Sequence, residues 1–180
     1  VLPTQAAMAK ARPAALKALE LDPRLADAHV TMAFTRLFVD WSWVDAEREF
    51  REAIRLDPRH AMAHAFYGLF SIAAGETDEG IARSLRARDL DPLSALTNTN
   101  VGWSYMFARR FDEAIDALVQ TVELDPGFRQ AQTTLSGAYM FAGDYERAAR
   151  LVAETRHVFG GPLPGADVLP DVLARGGVPA

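Results

Sequence analysis

Four copies of one tripeptide pace this chain. Leu21-Asp22-Pro23, Leu56-Asp57-Pro58, Leu90-Asp91-Pro92 and Leu124-Asp125-Pro126 place their prolines 35, 34 and 34 residues apart. A fixed period of this size marks a repeat architecture, in which each unit is one supersecondary element that buries its apolar side against the next. Proline lacks the N–H that would continue a helix and biases the preceding residue away from the α region, so each tripeptide closes a helix. A second break falls inside every period, at Asp40, Gly75-Glu76-Thr77-Asp78, Arg109-Arg110 and Gly143-Asp144. The repeating unit is therefore a helical hairpin. The spacing predicts helices over 26–38 and 44–56, 61–74 and 78–90, 95–108 and 112–124, and 129–142 and 145–157.

The two helices of each hairpin differ in chemistry. Residues 61–74 and 95–108 carry no charge at all, which suits burial on most sides. The second helices carry a charged stripe, such as Arg48, Arg51, Glu52 and Arg55, and are expected to face water. Stacked hairpins of this kind form two layers, with uncharged helices inside and charged ones outside. Composition agrees with a soluble globular chain: 180 residues, 49% hydrophobic and 24% charged. The net charge of −5 works against an electrostatic hold on nucleic acid or anionic membrane. The absence of cysteine removes disulfides, thiolate metal sites and cysteine nucleophiles. No apolar run approaches the ~18 residues of a membrane-spanning helix, and the start at Val1 shows no signal peptide. A start without Met reads as a fragment or a processed chain. Seventeen arginines against two lysines, with abundant alanine, suggest a GC-rich bacterial source, and a cytoplasmic location is expected.

The hairpins resemble the tetratricopeptide repeat (TPR), a 34-residue pattern of Trp-x2-Leu-Gly-x2-Tyr, then Ala-x3-Phe, then Pro. The third repeat reads Asn98, Val101, Gly102, Tyr105, Ala114, Leu118 and Pro126 in those slots, and the first supplies His29, Met32, Ala33, Ala46, Phe50 and Pro58. The second gives His64, Tyr67, Gly68 and Pro92 but has Gly80 and Ser84 for the Ala and Phe. The fourth gives Leu135, Ser136, Tyr139, Ala148 and Val152, with Gly160 where the proline would fall. Ala11, Ala15, Ala18 and Pro23 fit the second half of a further repeat, as if the chain were cut from a longer array. The resemblance covers about residues 5–160. It implies an all-α, right-handed α-α superhelix forming a single TPR domain over 1–180. Its parts are a partial repeat at 1–25, repeats at 26–60, 61–94, 95–128 and 129–159, and a tail at 160–180. More narrowly, Asp40-Trp41-Ser42-Trp43 before Ala46-Glu47-Arg48-Glu49-Phe50, with Asp91-Pro92-Leu93-Ser94, resembles TPR arrays at the C-terminal ends of large bacterial regulators.

Motifs for chemistry are scarce. There is no glycine-rich phosphate loop, nucleophile elbow, EF-hand loop or His-Glu-x-x-His. His60 and His64 lie one helical turn apart, but a metal needs a third ligand and Ala61, Met62, Ala63 and Ala65 supply none. His64 then reads as packing in the Trp slot, and no metal or cofactor is expected. Glu76, Asp78 and Glu79 complement the start of a helix. Glu47 and Glu52 are spaced to pair with Arg51 and Arg48, which makes that stripe a solvated face rather than a phosphate reader.

What remains is the face of the first helices, which the resemblance places along a concave groove. There it puts Phe34, Leu37, Phe38, Phe66, Leu69, Ile72, Trp103, Met106, Phe107, Met140 and Phe141, with Thr99, Asn100, Thr133 and Thr134 beside them and Asp27 as the one charge. The predicted partner-binding residues are Phe34, Phe38, Phe66, Leu69, Asn100, Trp103, Met106, Phe107, Met140 and Phe141. Chaperone-binding TPR proteins grip terminal carboxylates with Lys, Arg and Asn at such positions, and Leu96 stands here where a base is needed. An apolar, aromatic groove suits a protein or peptide with an apolar segment. The expected function is a non-enzymatic interaction scaffold within a larger regulatory protein; the alternative is a module that self-associates into a homo-oligomer. The tail holds five glycines, four prolines and three charged residues over 160–180, with one short helix expected at 166–175 to cap the last repeat or to occupy a groove.

Overall fold

The computed structural model describes residues 5–155, all of whose regular structure is helical. The helices are α1 (Gln5–Leu21), α2 (Ala26–Phe38), α3 (Trp43–Leu56), α4 (Ala61–Ala73), α5 (Thr77–Leu90), α6 (Ala95–Phe107), α7 (Phe111–Leu124), α8 (Arg129–Phe141) and α9 (Tyr145–Thr155). The predicted helices are met within one or two residues at each described end. The tail, with its expected helix at 166–175, lies outside the described residues. Contacts gather into two compact units, Val1–Pro92 and Leu93–Ala180, so the repeats fall two to a unit. In the first, α1 packs on α2 ahead of the hairpins α2/α3 and α4/α5, and α4 lies against both α2 and α3. In the second, α6/α7 and α8/α9 stack in the same way, with α8 against both α6 and α7.

The recurring tripeptide is a turn closed from both sides. The carboxylates of Asp22, Asp57 and Asp125 each accept from the backbone N–H two residues on, at 2.8, 2.9 and 3.0 Å, forming Asx turns that hold the chain as it leaves one helix. The carbonyls of Pro23, Pro58 and Pro126 then accept from a side chain six residues later, in the first turns of the next helix. His29 Nε2 donates to Pro23 at 3.1 Å, His64 Nε2 to Pro58 at 3.1 Å and Gln132 Nε2 to Pro126 at 2.6 Å. Asn98, the same distance after Pro92, donates Nδ2 to the Ser94 carbonyl at 2.9 Å. The Trp slot of the repeat is thus filled by a side-chain N–H donor in all four hairpins. His64 is packed, as its sequence predicts, and its buried ring also ties the turn to the helix.

Within each hairpin the two helices touch through residues that scarcely have side chains. Ala33 and Ala46 in the first, and Ala114 and Ala148 in the third and fourth, are 0% exposed. In the second hairpin the slots hold Gly68 and Gly80. A Cβ on Gly80 would stand 2.5 Å from the Gly68 carbonyl and 2.4 Å from Ile72 Cγ1; one on Gly68 would stand 2.4 Å from Ser84 Oγ. The departures of this repeat from the Ala and Phe of the pattern therefore belong together: two glycines let the backbones meet, and a small Ser84 then fits where a Phe would not. In the third hairpin Gly102 presses on Leu118, whose Cγ lies 2.4 Å from where its Cβ would be.

Larger residues fill the space beside these contacts. In the first unit Phe50, Tyr67 and Phe70 form the core with Ala26, Val30 and Ala63, and in the second Leu118, Leu135 and Tyr139 do so with Ala138. The Tyr67 hydroxyl, inside the first core, accepts from Arg51 Nε at 2.9 Å and donates to Glu47 at 3.1 Å, while Arg83 lies 4.1 Å over its ring. Burial pushes this phenol above its ordinary pKa, and its hydrogen bond holds Arg51 charged more firmly. At the first hairpin's open end, Asp40 accepts from Arg12 of α1 at 2.9 and 3.2 Å and from Arg36 of α2 at 2.9 Å. These guanidiniums, Arg36 foremost, hold the Asp40 carboxyl below its usual range.

Replacing a helical glycine by alanine ordinarily stabilises by about 0.5–1 kcal/mol. Gly80→Ala should instead destabilise, by about 1–3 kcal/mol, because no room exists for the methyl group. Gly137→Ala, whose Cβ would meet only Met106 Cε at an ordinary 3.7 Å, should be neutral or stabilising. Urea unfolding of the two variants beside the parent checks the contrast, and equal effects would contradict the close approach of α4 and α5.

Candidate functional site

The predicted groove residues divide by unit. In the first, Phe34 stacks on Phe38 at 6.0 Å between ring centroids and meets Phe66 edge-on at 4.6 Å and Phe50 at 5.9 Å. Phe34, Phe66 and Leu37 are partly buried against the core. Phe38 and Leu69 are half-buried. Much of this aromatic surface is thus spent on packing α2 to α3 and α4. Asp27 is exposed and accepts from His60 Nε2 at 2.9 Å, linking the first turns of α2 and α4.

In the second unit the apolar surface is open. Phe107, Met140 and Phe141 are 56%, 46% and 69% exposed at the C-terminal ends of α6 and α8. Trp103 is half-buried: its Nε1 donates to Thr134 Oγ1 at 2.9 Å, fastening α6 to α8, and its ring meets Phe107 edge-on at 5.4 Å. Met106 is partly buried against the core, over Gly137. Asn100 is 3% exposed, so it adds no polar surface beside these rings, and its buried Nδ2 has no partner. The structure also brings in Phe111, which stacks on Phe141 at 6.1 Å and 12°, although it opens a charged second helix.

Two further exposed features escaped the sequence reading. Trp41 in the first hairpin turn and Val44 at the start of α3 are 71% and 78% exposed, with Trp43 at 43% packing on Phe70 at 5.3 Å. Trp41 and Arg109 both have positive φ, 54° and 59°, in turns where the other two hairpins carry Gly75 and Gly143. The signal was present in the sequence: a turn whose other copies hold glycine demands a left-handed residue, and a bulky one there is an outlier.

No group of three or more metal-ligating side chains occurs among the described residues. His60 is the N-cap of α4, not part of the helix; its Nδ1 accepts from the Ala63 N–H at 3.1 Å. The arginine stripe of α3 is locally paired, though not wholly as its spacing suggests. Arg51 joins Glu47 at 2.7 Å, Arg55 joins Glu52 at 2.6 Å, and Arg48 turns to Asp45 at 2.9 Å in place of Glu52. With Val44 these residues line an open cleft of about 390 Å³ whose guanidiniums all have carboxylate partners.

Serial helix hairpins, closed by an Asp-Pro turn and joined through small residues, define an all-α repeat protein. The tetratricopeptide-repeat family matches residues 106–161, which run from the end of α6 through α9. Among solved structures, the chain is similar to PilW, a type IV pilus biogenesis factor, at 22% identity over 93% of this chain and 77% of that one, with a TM-score of 0.78. It is also similar to TTC0263, a TPR protein of Thermus thermophilus, at 17% identity over 94% and 90%, with a TM-score of 0.75. YrrB, a TPR protein with an unusual peptide-binding site, is 18% identical over 93% and 84%, with a TM-score of 0.62. No curated protein matches in sequence. The chain has a TPR-like helical fold, and its residues 106–161 match the tetratricopeptide-repeat family. No described helix is long and apolar enough to cross a membrane.

One titration follows from the turn geometry. His64 Nε2–H is committed to the Pro58 carbonyl, and its buried Nδ1 has no partner to receive a second proton's hydrogen bond. Burial first, and the nearby charges of Arg83, Arg86 and His60 after it, lower its pKa from the ordinary 6.5. The unfolded chain therefore takes up this proton more readily than the folded one. The stabilisation from a neutral His64 is complete above pH 6.5, and it declines as pH falls through 6.5 toward the lower folded value. His64→Gln, which keeps a donor as Gln132 does, should reduce the loss of stability between about pH 7.5 and 5.5. Urea midpoints of both proteins at the two pH values measure the difference; identical losses would refute the assignment.

Proposed function

We propose that this chain is a protein-interaction scaffold that binds a partner's apolar segment on the face of its first helices, with the second unit's Trp103, Met106, Phe107, Met140 and Phe141 as the principal contacts. The observation that carries this reading is the exposure of Phe107, Met140 and Phe141 at the ends of two neighbouring helices. Large apolar side chains held this openly on a rigid frame are the usual anchors of recognition, and a contiguous exposed patch usually marks an interaction site. The first unit's Phe34, Phe38, Phe66 and Leu69 offer a shallower surface, since they also serve its packing. YrrB's peptide-binding site supports the class of ligand by analogy with a shared fold. A place within a larger regulator accords with the same role, and the scaffold reading in place of a catalytic one is supported by the tetratricopeptide-repeat match and by the TPR structures that share the fold.

Phe107 separates binding from folding better than Trp103, whose indole also bridges α6 to α8. Phe107→Ala should change stability by less than about 1 kcal/mol and weaken partner binding by roughly 30-fold or more, the loss of about 2 kcal/mol typical of a hot spot. Trp103→Ala should weaken both. Affinity should change only a few-fold between about 50 and 200 mM salt, against the roughly 10³-fold or greater loss of a site built on many phosphate contacts. Calorimetric unfolding and titration against a partner recovered with the parent chain test this; unchanged affinity of Phe107→Ala would overturn it.

A further inference from the structure

We infer that the open end of the second unit selects, among apolar segments, those carrying a carboxylate within about three positions of the anchoring side chain, with Arg109 as its receptor. This rests on the apolar surface proposed above and adds the charge that accompanies it.

The argument begins with the three turns that close α4, α6 and α8. In each, the residue after the C-cap is left-handed and its N–H donates back into the last turn: Gly75 to Ile72 at 3.0 Å, Arg109 to Met106 at 2.9 Å and Gly143 to Met140 at 3.1 Å. The following N–H reaches one residue further back: Glu76 to Ser71, Arg110 to Tyr105 and Asp144 to Tyr139, at 2.8, 2.9 and 2.8 Å. The backbone task is the same in all three, and glycine performs it without a Cβ penalty. Arginine at 109 adds nothing to the turn that glycine would lack, so its use lies in the side chain.

That side chain is exposed, and no carboxylate among the described residues pairs with it. Its neighbours are otherwise engaged: Arg110 joins Glu113 at 2.7 Å, Arg147 joins Asp144 at 2.6 Å and Arg150 joins Glu146 at 2.9 Å. Arg109 instead lies 6.0 Å from the centroid of Phe111, whose ring stacks on the 69% exposed Phe141. A depression of about 390 Å³ opens there, lined by Arg109, Arg110, Phe111, Asp112, Glu113 and Ala142. Glu113 is held by Arg110, which keeps its carboxyl below the usual range, and Asp112 sits in the first turn of α7, where free N–H groups of the helix favour it. The cation left over is Arg109, beside an apolar ledge. An extended peptide advances about 3.4 Å per residue, so a side chain resting on Phe141 and an acid reaching Arg109 belong to nearby positions. Charge complementarity at the edge of an apolar contact discriminates among partners.

The test is a random heptapeptide library displayed on phage and selected on the 180-residue chain. The parent should enrich peptides that combine Phe, Trp, Leu or Met with Asp or Glu within three positions. Arg109→Gly suits the left-handed turn and should melt no lower than the parent; it should keep the apolar preference and lose the acidic one. A synthetic winning peptide should bind it roughly three- to tenfold more weakly, and Arg109→Lys should retain the acidic preference. Acidic enrichment that persists on Arg109→Gly overturns the inference, as do apolar winners without acids, which leave the apolar surface standing. If no winner depends on Phe107, the surface itself fails and the inference falls with it.

Discussion

Every hairpin in this chain rests on a contact between residues too small to keep its helices apart. Ala33 and Ala46, Gly68 and Gly80, Gly102 and Ala114, and Ser136 and Ala148 fill the matched small-residue places and are all buried, and the backbones come closest at Gly68 and Gly80. One turn further along the second helix sits Phe50, Ser84, Leu118 or Val152, all at most 7% exposed. Its size is coupled to the gap: where two glycines close the helices together, a serine replaces the large residue. A close-packed interior permits this kind of compensation only in concert, since a methyl group added on one side has no void to enter.

The two ends of a hairpin are built to different standards. At the Asp-Pro end the carboxylate, the proline carbonyl and a donor from the next helix are all satisfied internally, and the side chains there are committed. The opposite end is closed mainly by backbone hydrogen bonds, with ion pairs such as Arg36–Asp40, Arg110–Glu113 and Arg147–Asp144 beside them, and its aromatic side chains take little part in that closure. The exposed aromatics Trp41, Phe107 and Phe141 all lie at or next to that end. Division of labour of this kind is what a binding module on a repeat frame requires: the frame is held by one set of residues and presents another.

Nearly all of the fold was legible in the sequence, because its signals are local and repeated. Proline stops, uncharged first helices and the small-residue slots each recur, so one ambiguous copy is corrected by the others. The site was legible only in part. Spacing places Phe34 and Trp103 on the same helical face, yet Phe34 wedges among Phe38, Phe50 and Phe66 while Trp103 spends its indole N–H on Thr134. Periodicity gives the face and not the depth, which is set by how large the neighbouring helix's residues are. Gln132 and Arg109 were hidden for another reason. Each acts through its position in a turn, and neither is unusual as a residue until its counterparts in the other repeats are laid beside it.

The first repeat is one residue longer than the others, and the structure shows where that residue goes. Helices α2 and α3 keep the 13- and 14-residue lengths of their counterparts α4 and α5. The surplus is absorbed between Val39 and Ser42, where the Ser42 N–H reaches back to the Arg36 carbonyl at 2.9 Å and Trp41 takes the left-handed place. The open turn thus behaves as an expansion joint, taking up a change in chain length without passing it to the helices on either side. A ruler drawn from proline to proline therefore measures the history of the turns as much as the geometry of the helices.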